Sequence, residues 1–510
     1  MTSIGKAVYL PETELTFGYA QRATHPKDGL LLFGPESNSL KGASLRVGVI
    51  GTLEGLDRYR RWVKQISDAV PPKLADNPNH TVFPGFEAVF GVRWPQDPIH
   101  FISVNPRDIH DCLYQSDRHQ AIHQTVSLFA QPIADYVTRM SEVTIDLWFV
   151  VIPEEIFKLG RPQSKVSKND ALDASLTMDR KTAGRLRREP SLFLEDNDAA
   201  EVYKYELNFH NQLKARLLEH NVPLQVVRET TLAPADFLNA AGRPLRGLQD
   251  PATLSWNICT TAFFKAGGKP WKLSSPRPGV CYVGVVFKQD ITGPEIGNAC
   301  CGAQMFLDSG DGVVFRGAVG PWYSVENKQF HLSADKAKTM IEMVVNEYRR
   351  SHSGKPPSEL FIHGKTYFDD AEWEGFRSAA PAGTAVTCVR IRKENGLKLF
   401  RLGVQNVPRG IGLKLSPKQG YLLSTGYTPR LQTYPGREVP NPLSVRITRG
   451  DADIETVFGD VMALTKLNFN ACIFADGQPV TLRFANAVGE ILTAGPQKPD
   501  LPPLPFRYYI

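Results

Sequence analysis

Four polar residues in the middle of the chain are of types that can bind a phosphate group. His210 and Lys214 are four positions apart in a stretch with helical apolar spacing, so both side chains should project from one helix face. Gln225 follows in a short apolar run that predicts a buried strand, and Lys265 ends a second helical pattern before two glycines. A terminal phosphate monoester carries about −1.5 to −2 charges at neutral pH, which two ammonium groups would complement. Together these residues predict a pocket for a terminal phosphate of a nucleic acid, although each alone also suits an ordinary surface or helix-end position.

The segments before this set alternate between strand and helix. A buried strand is predicted at Leu45 to Gly51, an amphipathic helix follows it up to Val70, and Leu147 to Pro153 form another apolar strand. Between them lie the strand pattern HFISVN and a helical pattern from Gln120 to Met140. Strands that alternate with helices in this way predict a Rossmann-like layer in an α/β protein.

The pattern changes beyond a proline-rich joint at residues 269–279. Three strand patterns, CYVGVVFKQ, ACCGAQMFLD and GVVFRGAV, follow one another with short turns. A helix is predicted from Ser333 to about Ser351, and the run ELFIHG predicts a fourth strand. Three strands, a helix and a further strand are the element order of an RNase H-like core.

Composition and net charge limit the number of domains and the class of protein that are expected. The chain has 510 residues, of which 42% are hydrophobic and 22% charged, so two to four domains with proper cores are expected. The net charge of +6 is too small to prove nucleic-acid binding but is compatible with a local basic lining. The seven cysteines form no CxxC pair, which argues against a disulfide framework or a structural zinc site. The sequence has no membrane-length apolar run and no apolar signal-peptide core, so a cytoplasmic location is expected.

Two further segments have features of a binding site. Residues 160–190 are polar and suit a loop that follows a nucleic-acid backbone or, alternatively, a solvated surface loop; their basic residues include Arg180, Lys181, Arg185, Arg187 and Arg188. The stretch GVIGTLEG has glycines after a strand without full GxGxxG spacing, which argues against a dinucleotide site. No Ser-His-Asp ordering, Walker loop or zinc protease motif supports an unrelated enzyme.

The order of the four polar residues resembles the MID domain of Argonaute proteins. The shared features are His-x3-Lys, then Gln, then a TLSxN-type helix that closes in Lys-x-Gly-Gly, here Thr253 to Gly268. In that family the equivalent residues bind the 5′ end of a guide strand, so the resemblance gives this role to His210, Lys214, Gln225 and Lys265. A second lysine is usual one helical turn before the last one, and this chain has Thr261, so a less basic pocket than in eukaryotic relatives is expected. The second half is similar to the Argonaute PIWI domain.

Cleavage by a PIWI domain requires divalent metal held by carboxylates at fixed positions. The resemblance places these positions at Val286, Gly364 and Asn486, and none of them is acidic. We therefore predict a nuclease fold without nuclease activity. Asp290 and the pair Asp369 and Asp370 lie close by in sequence, so a guide-directed nuclease that uses displaced acids is the alternative.

The resemblance covers nearly the whole chain and points to the short prokaryotic Argonautes. It implies a lead-in segment at residues 1–40, a MID domain at 41–272 and a PIWI domain at 273–510, without room for N-terminal and PAZ domains. The opening LTFGYAQRATHPKDGLLLFGP also looks like the segment that precedes MID in prokaryotic Argonautes.

Members of that family typically act with a second protein that contains an APAZ region fused to a TIR, sirtuin-like or nuclease effector. The resemblance implies a heterodimer, with higher oligomers on activation as an option. The chain would load a guide, commonly RNA, detect complementary single-stranded invader DNA and activate the partner, which depletes NAD or degrades DNA until the infected cell dies or stops growing. A plain small-RNA-binding module without a signalling partner is the alternative.

The C-terminal segment PQKPDLPPLPFRYYI has prolines that favour an extended conformation, and it ends in aromatic residues and Ile510. In the family the terminal carboxylate reaches back to the MID pocket and shares a magnesium ion with the guide phosphate. The resemblance therefore implies a Mg²⁺ site at Ile510. An apolar tail that only docks on the core is the alternative.

Overall fold

The structure is a computed structural model. It describes residues 5–38, 40, 44–74, 77, 80–139, 143–173, 178–289, 299–306, 312–320, 323–324, 329–434, 438–496 and 502–510. The strands are β1 Lys6–Tyr9, β2 Leu15–Thr16, β3 Arg22–Ala23, β4 Val47–Gly51, β5 His100–Ser103, β6 Leu147–Ile152, β7 Leu224–Arg228, β8 Lys272–Leu273, β9 Val280–Gln289, β10 Ala299–Phe306, β11 Gly312–Gly320, β12 Tyr323–Ser324, β13 Gln329–Phe330, β14 Glu359–Gly364, β15 Ala385–Lys393, β16 Ile411–Ser416, β17 Gln419–Leu422, β18 Leu443–Arg449 and β19 Leu504–Pro505. The helices are α1 Pro26–Phe33, α2 Leu53–Ser67, α3 Phe86–Phe90, α4 Pro106–Leu113, α5 Arg118–Arg139, α6 Glu154–Leu159, α7 Arg180–Arg188, α8 Leu194–Glu201, α9 Phe209–Leu217, α10 Glu229–Leu232, α11 Pro251–Lys265, α12 Ala334–Ser351, α13 Asp370–Ala379, α14 Ile454–Leu464, α15 Val480–Arg483 and α16 Ala485–Leu492.

The first half is built on a parallel sheet of four strands in the order β5-β4-β6-β7. Strands β4 and β6 are buried along their whole length, because helices cover both faces of the sheet. Helix α2 packs Tyr59 and Trp62 against Phe149 of β6 on one face, and Phe129 of α5 contacts Phe209 of α9 on the other. The predicted Rossmann-like layer is confirmed.

The second half is built on a sheet of ten strands in the order β1-β16-β17-β18-β15-β14-β9-β10-β11-β19. Strands β9, β10 and β11 are antiparallel neighbours, whereas β14 lies parallel to β9 and β15 parallel to β14. Helices α12 and α13 cover Val283 and Ile362 on one face, and α14 covers Val445 on the other. This order confirms the predicted RNase H-like core.

The two halves share one hydrophobic core. Phe264 of α11 stacks on Phe469 with 4.5 Å between ring centroids, and the Trp271 indole donates to the Lys466 carbonyl at 2.9 Å. The first strand, β1, pairs with β16 in the second sheet, while β2 and β3 form a small sheet with β8. Residues from the predicted lead-in segment therefore contribute to both parts of the molecule.

The basic segment differs from its prediction as a loop. Residues Arg180 to Arg188 form helix α7, because the Asp179 side chain accepts a hydrogen bond from the Thr182 backbone N–H at 2.6 Å and caps the first turn. Ala183 on the inner face packs against Tyr203, and the arginines lie on the remaining faces. Among the helices that the structure describes, none has the length and apolar character needed to span a membrane.

Candidate phosphate-binding site

Helices α9 and α11 present the predicted phosphate ligands. Helix α9 begins after Asn208, whose side chain accepts from the Asn211 backbone N–H at 3.2 Å, and this start puts His210 and Lys214 one turn apart. Helix α11 ends at Lys265 because Gly267 has φ of +110°, a conformation that other residues rarely adopt. The end of α11 thus brings Lys265 to β7, and Lys214 of α9 lies close enough for its charge to act on Lys265.

Both lysines are buried. Lys214 is 3% exposed and Lys265 is 2% exposed. The Lys265 ammonium donates to the Gln225 side-chain oxygen at 2.7 Å and to the Leu224 carbonyl at 3.1 Å. The Lys214 ammonium donates to the main-chain oxygens of Ile510 at 2.6 Å and Tyr509 at 3.2 Å. In the part of the chain that the structure describes, no Asp or Glu side chain forms an ion pair with either lysine.

The environment weakens the charged form of each basic group. Burial lowers the pKa of Lys214 to about 7. Burial also lowers the pKa of Lys265, and the charge of Lys214 adds to this effect. Loss of hydration and then the Lys214 charge lower the pKa of His210, although this residue keeps a solvent-exposed surface at the mouth of the site. A bound anion would reverse these effects, so the group of residues is suited to a multiply charged anion.

A cleft of about 590 Å³ opens beside the lysines and is lined by His210 and Gln225. Its far wall contains Phe157, and the guanidinium carbons of Arg161 and Arg228 lie 3.7 and 3.6 Å from the centre of that ring. Two guanidinium groups at such distances must occupy opposite faces of the ring. Other residues that line the cleft are Arg246, Thr231, Leu254 and Ile258.

This wall of the cleft was not predicted from the sequence. Phe157 follows strand β6, and Arg228 is the last residue of β7. Ligands of open α/β sheets bind beyond the carboxyl ends of the strands, so these positions were detectable once the parallel sheet was predicted. Thr261, by contrast, is buried and donates its hydroxyl to the Asn257 carbonyl at 2.8 Å, so this position adds no charge to the site.

The resemblance to PIWI domains places metal-binding acids at three positions, and the side chains at and around the described ones make other contacts. A side-chain carbon added at Gly364 would lie 2.6 Å from the ring of Phe368, which is buried there. The Lys365 ammonium donates to the Asn486 side-chain oxygen at 3.3 Å, which joins the end of β14 to α16. Val286 lies in β9, which runs parallel to β14, and its side chain is outside the described part of the structure.

The candidate displaced acids have other partners. Asp369 caps α13 by accepting from the Glu372 backbone N–H at 2.8 Å, and Asp370 forms an ion pair with Arg449. Asp369, Glu372 and His331 have ligand atoms within 4.8 Å of one another. Glu372 is buried, however, and already accepts from the Leu332 N–H and the Asp369 N–H, as a helix cap requires. Asp290 lies outside the described residues.

No family model matches the sequence, and no curated protein matches it. Solved structures do match. The chain is similar to Clostridium butyricum Argonaute bound to a guide DNA and a 19-mer target DNA, with a TM-score of 0.61 and 14% identity over 96% of this chain and 53% of that one. It is also similar to Aa-Ago with externally bound siRNA (TM-score 0.55, 14% identity, 99% and 56% covered) and to A. aeolicus Argonaute (TM-score 0.53, 13% identity, 98% and 54% covered). The chain spans about half the length of these proteins and is similar to them in fold over that half, with a Rossmann-like and an RNase H-like part.

Proposed function

We propose that this chain binds a 5′-phosphorylated guide strand and uses it to recognise complementary nucleic acid. The observation that carries the proposal is the pair of buried ammonium groups, Lys214 and Lys265, which have no side-chain carboxylate partner among the described residues. Burial of two neighbouring charges without an Asp or Glu partner costs several kcal/mol, so such a pair is expected where a ligand supplies further negative charge. A terminal phosphate is the group that fits, and the fold likeness to an Argonaute with bound guide and target DNA supports the same choice.

The cleft beside the lysines is suited to the terminal nucleotide. His210 and Arg161 offer planar groups on which a base can stack, and Gln225 offers an amide at the phosphate end. The guide would thus enter with its phosphate against α9 and α11 and its first base towards Phe157.

The test is the variant with Lys214→Ala and Lys265→Ala. Hydrogen bonds to charged groups contribute about 1.5 to 3 kcal/mol each, so the affinity for a 5′-phosphorylated guide should fall by about 100-fold or more. The affinity for the same strand with a 5′-hydroxyl should change little, so the preference for the phosphate disappears. A matched variant, Lys64→Ala with Lys336→Ala, removes two exposed lysines and should keep the preference. Retained discrimination in the pocket variant, with an unchanged circular dichroism spectrum, would contradict the proposal.

A magnesium ion that the main-chain oxygens at Ile510 would help to hold is part of the proposal. The main-chain oxygens of Tyr509 and Ile510 lie at the pocket, and hard oxygen ligands are those that Mg²⁺ prefers. When bound, the ion would supply additional positive charge for the phosphate. The affinity for phosphorylated guides is therefore expected to fall when EDTA replaces Mg²⁺, and an unchanged affinity would remove the ion from the scheme.

We further propose that the chain does not cleave the target. Phe368 fills the space beside Gly364, and Lys365 holds Asn486, so the two described positions offer an aromatic ring and an ammonium group where metal-binding acids would be needed. Guide-loaded protein incubated with a complementary target and Mg²⁺ or Mn²⁺ should leave the target intact. Cleavage that Asp369→Ala or Asp370→Ala abolishes would favour the displaced-acid nuclease.

The cellular role is proposed from the sequence resemblance. The chain would act in a prokaryotic immune system with an APAZ-containing partner that depletes NAD or degrades DNA when the guide, an RNA in this proposal, finds single-stranded invader DNA. Purification from native lysate should recover such a partner in about equal amount, and sequencing of the bound nucleic acids should identify guide and target. Recovery of the chain with RNA and without a protein partner would favour the plain small-RNA-binding module.

A further inference from the structure

Three arginines lie together on the face of the ten-stranded sheet opposite α14. Arg390 and Arg392 are alternate residues of β15, and Arg446 of β18 is the direct cross-strand partner of Arg390. Alternate residues of a strand point to the same face, so the three guanidinium groups share one side of the sheet. The alternating residues of β15, Val389 and Ile391, are buried on the opposite side against the core.

Tyr367 holds two of these arginines in place. Its hydroxyl oxygen accepts from Arg390 at 3.2 Å and from Arg446 at 3.0 Å. The guanidinium carbon of Arg390 also lies 4.3 Å from the centre of the tyrosine ring. Tyr367 is 38% exposed, so the arrangement is fixed by the protein yet open to solvent.

The positive charge of this cluster is not neutralised. In the described part of the chain, no Asp or Glu oxygen lies within 4.0 Å of the guanidinium groups of Arg390, Arg392 or Arg446. The nearby Asp370 is engaged by Arg449, and Glu394 acts on Arg390 only at longer range. The Nε atom of Arg390 is buried without a hydrogen-bond partner. Three like charges held side by side raise the free energy of the unbound protein, and an anionic ligand would lower it again.

We propose that Arg390, Arg392 and Arg446 bind neighbouring phosphates of a nucleic-acid backbone, as a second contact separate from the terminal-phosphate pocket. This proposal does not rest on the function of the pocket, because the two sites lie in different sheets and share no residue.

Two features favour nucleic acid over an acidic protein. Alternate residues of a strand are about 6.6 to 6.8 Å apart, so Arg390 and Arg392 can engage separate anionic groups in a row, and guanidinium groups bind phosphates in a bidentate manner. Two further neighbours on this face, Ser444 of β18 and Tyr421 of β17, are polar or aromatic, since Tyr421 and Arg392 both face Ser444. A stable protein interface would be expected to have an apolar centre here.

The test compares two triple variants with the same change in net charge. The first is Arg390→Gln, Arg392→Gln and Arg446→Gln; the control is Arg22→Gln, Arg107→Gln and Arg350→Gln, at exposed positions elsewhere. The probes are a single-stranded RNA, a single-stranded DNA and an RNA–DNA duplex, all with 5′-hydroxyl ends so that terminal-phosphate binding does not contribute. Fluorescence anisotropy would give the dissociation constant as a function of salt concentration.

In the variant of the arginine cluster, the magnitude of the slope of log K against log salt should decrease by about 2 to 3 for the strand or duplex that the cluster contacts. Each phosphate contact contributes about 0.7 to 0.9 to this magnitude. The control should keep the wild-type slope. Equal slopes for both triple variants on all three nucleic-acid probes would overturn the proposal. Polyglutamate is a fourth probe: if the variant of the arginine cluster lost binding to polyglutamate alone, the proposal would also be overturned, and the cluster would be assigned to an acidic protein. The single variant Arg446→Gln, at an exposed position, should lower the slope by about 1 and guards against misfolding of the triple variant.

Discussion

Lys214 and Lys265 give the candidate site an unusual electrostatic balance. Both ammonium groups are buried, and they donate hydrogen bonds to main-chain oxygens and to the side-chain oxygen of Gln225. The neutral acceptors of Lys265, the Leu224 carbonyl and the Gln225 amide, compensate its buried charge only in part. The unliganded pocket is therefore expected to be close to losing a proton at neutral pH, and a phosphate would retain that proton.

This balance predicts that binding of a 5′-phosphorylated guide depends on pH. The pKa of Lys214 is about 7 in the free protein, and a bound phosphate would raise it, because the anion stabilises the ammonium form. The binding energy from this ammonium is thus fully present below about pH 7 and is lost as the pH rises through the higher pKa of the complex. Affinity should therefore decrease from pH 7 to pH 9. Calorimetry in buffers of different ionisation enthalpy should detect proton uptake on binding above pH 7.

The same strand with a 5′-hydroxyl is the control for this experiment, and it should show no such proton uptake. A pH-independent affinity for the phosphorylated strand would mean that Lys214 stays fully charged in the free protein, contrary to the prediction.

Introducing one carboxylate at position 486 should not create a metal site. In the variant Asn486→Asp, the new carboxylate would meet the Lys365 ammonium, which already contacts Asn486 at 3.3 Å. Burial lowers the pKa of Lys365 in the present protein, and a carboxylate partner would raise it by stabilising the charged form. We expect no Mn²⁺ binding by titration calorimetry for this variant. Binding of Mn²⁺ by Asn486→Asp at the level of the double variant Asn486→Asp with Lys365→Ala would contradict this.

At the scale of elements, the sequence predicted the strands and helices that have a clear apolar period. Strands β4, β6 and β9 and helices α5, α11 and α12 lie where the patterns put them, within a few residues. Helix α7 was missed because only one face is buried and most of its residues are basic, so its helical period depends on the cap at Asp179. The pairing of β1 with β16 joins segments about four hundred positions apart, and no local pattern can predict such a contact.

The candidate site shows the same limit. The pair Lys265 and Gln225 was predicted from residue types and order, and the structure brings the two side chains into contact. Phe157, Arg161 and Arg246 were not predicted, because α6 with the turn after it and the loop before α11 are far apart in sequence and meet only in the folded chain. Their role in binding a base stays a prediction.

The end of helix α11 should matter for guide binding. Gly267 has φ of +110°, so Gly267→Ala would introduce backbone strain of about 1 to 3 kcal/mol and push against Arg507, whose guanidinium lies 3.0 Å from the new carbon. We expect a lower melting temperature and a weaker preference for phosphorylated guides, because Lys265 lies two residues before this turn. Differential scanning fluorimetry and anisotropy would measure both effects.

Gly184→Ala is the matched control for that substitution. Gly184 lies inside α7, and the added carbon would meet no atom within 4 Å. Alanine favours a helix over glycine by about 1 kcal/mol, so this variant should be as stable as the parent or more so. Loss of the phosphate preference in both variants would show that the effect at Gly267 is not specific.

At the scale of the whole molecule, the two halves depend on each other. Phe469 belongs to the second half but is buried between Phe264 and Trp271 of the first, with ring centroids 4.5 and 5.2 Å apart. The Lys214 ammonium binds Ile510, which follows β19 in the second sheet. The pocket is therefore completed by both halves, and a fragment of the first half alone would expose aromatic residues and lack part of the site.

This dependence predicts a single cooperative unfolding transition. Phe469→Ala should lower the free energy of unfolding by about 3 to 5 kcal/mol, since it removes a buried ring from the shared core. Phe400→Ala removes the same side chain where it is 74% exposed and should leave the melting temperature unchanged. Differential scanning calorimetry would measure the three proteins side by side. Because Phe264, which stacks on Phe469, directly precedes Lys265 in α11, Phe469→Ala should also weaken binding of phosphorylated guides. Two separate transitions in the parent protein, with the midpoint of the first unaffected by Phe469→Ala, would instead mean that the halves unfold independently and that the pocket belongs to the first half alone.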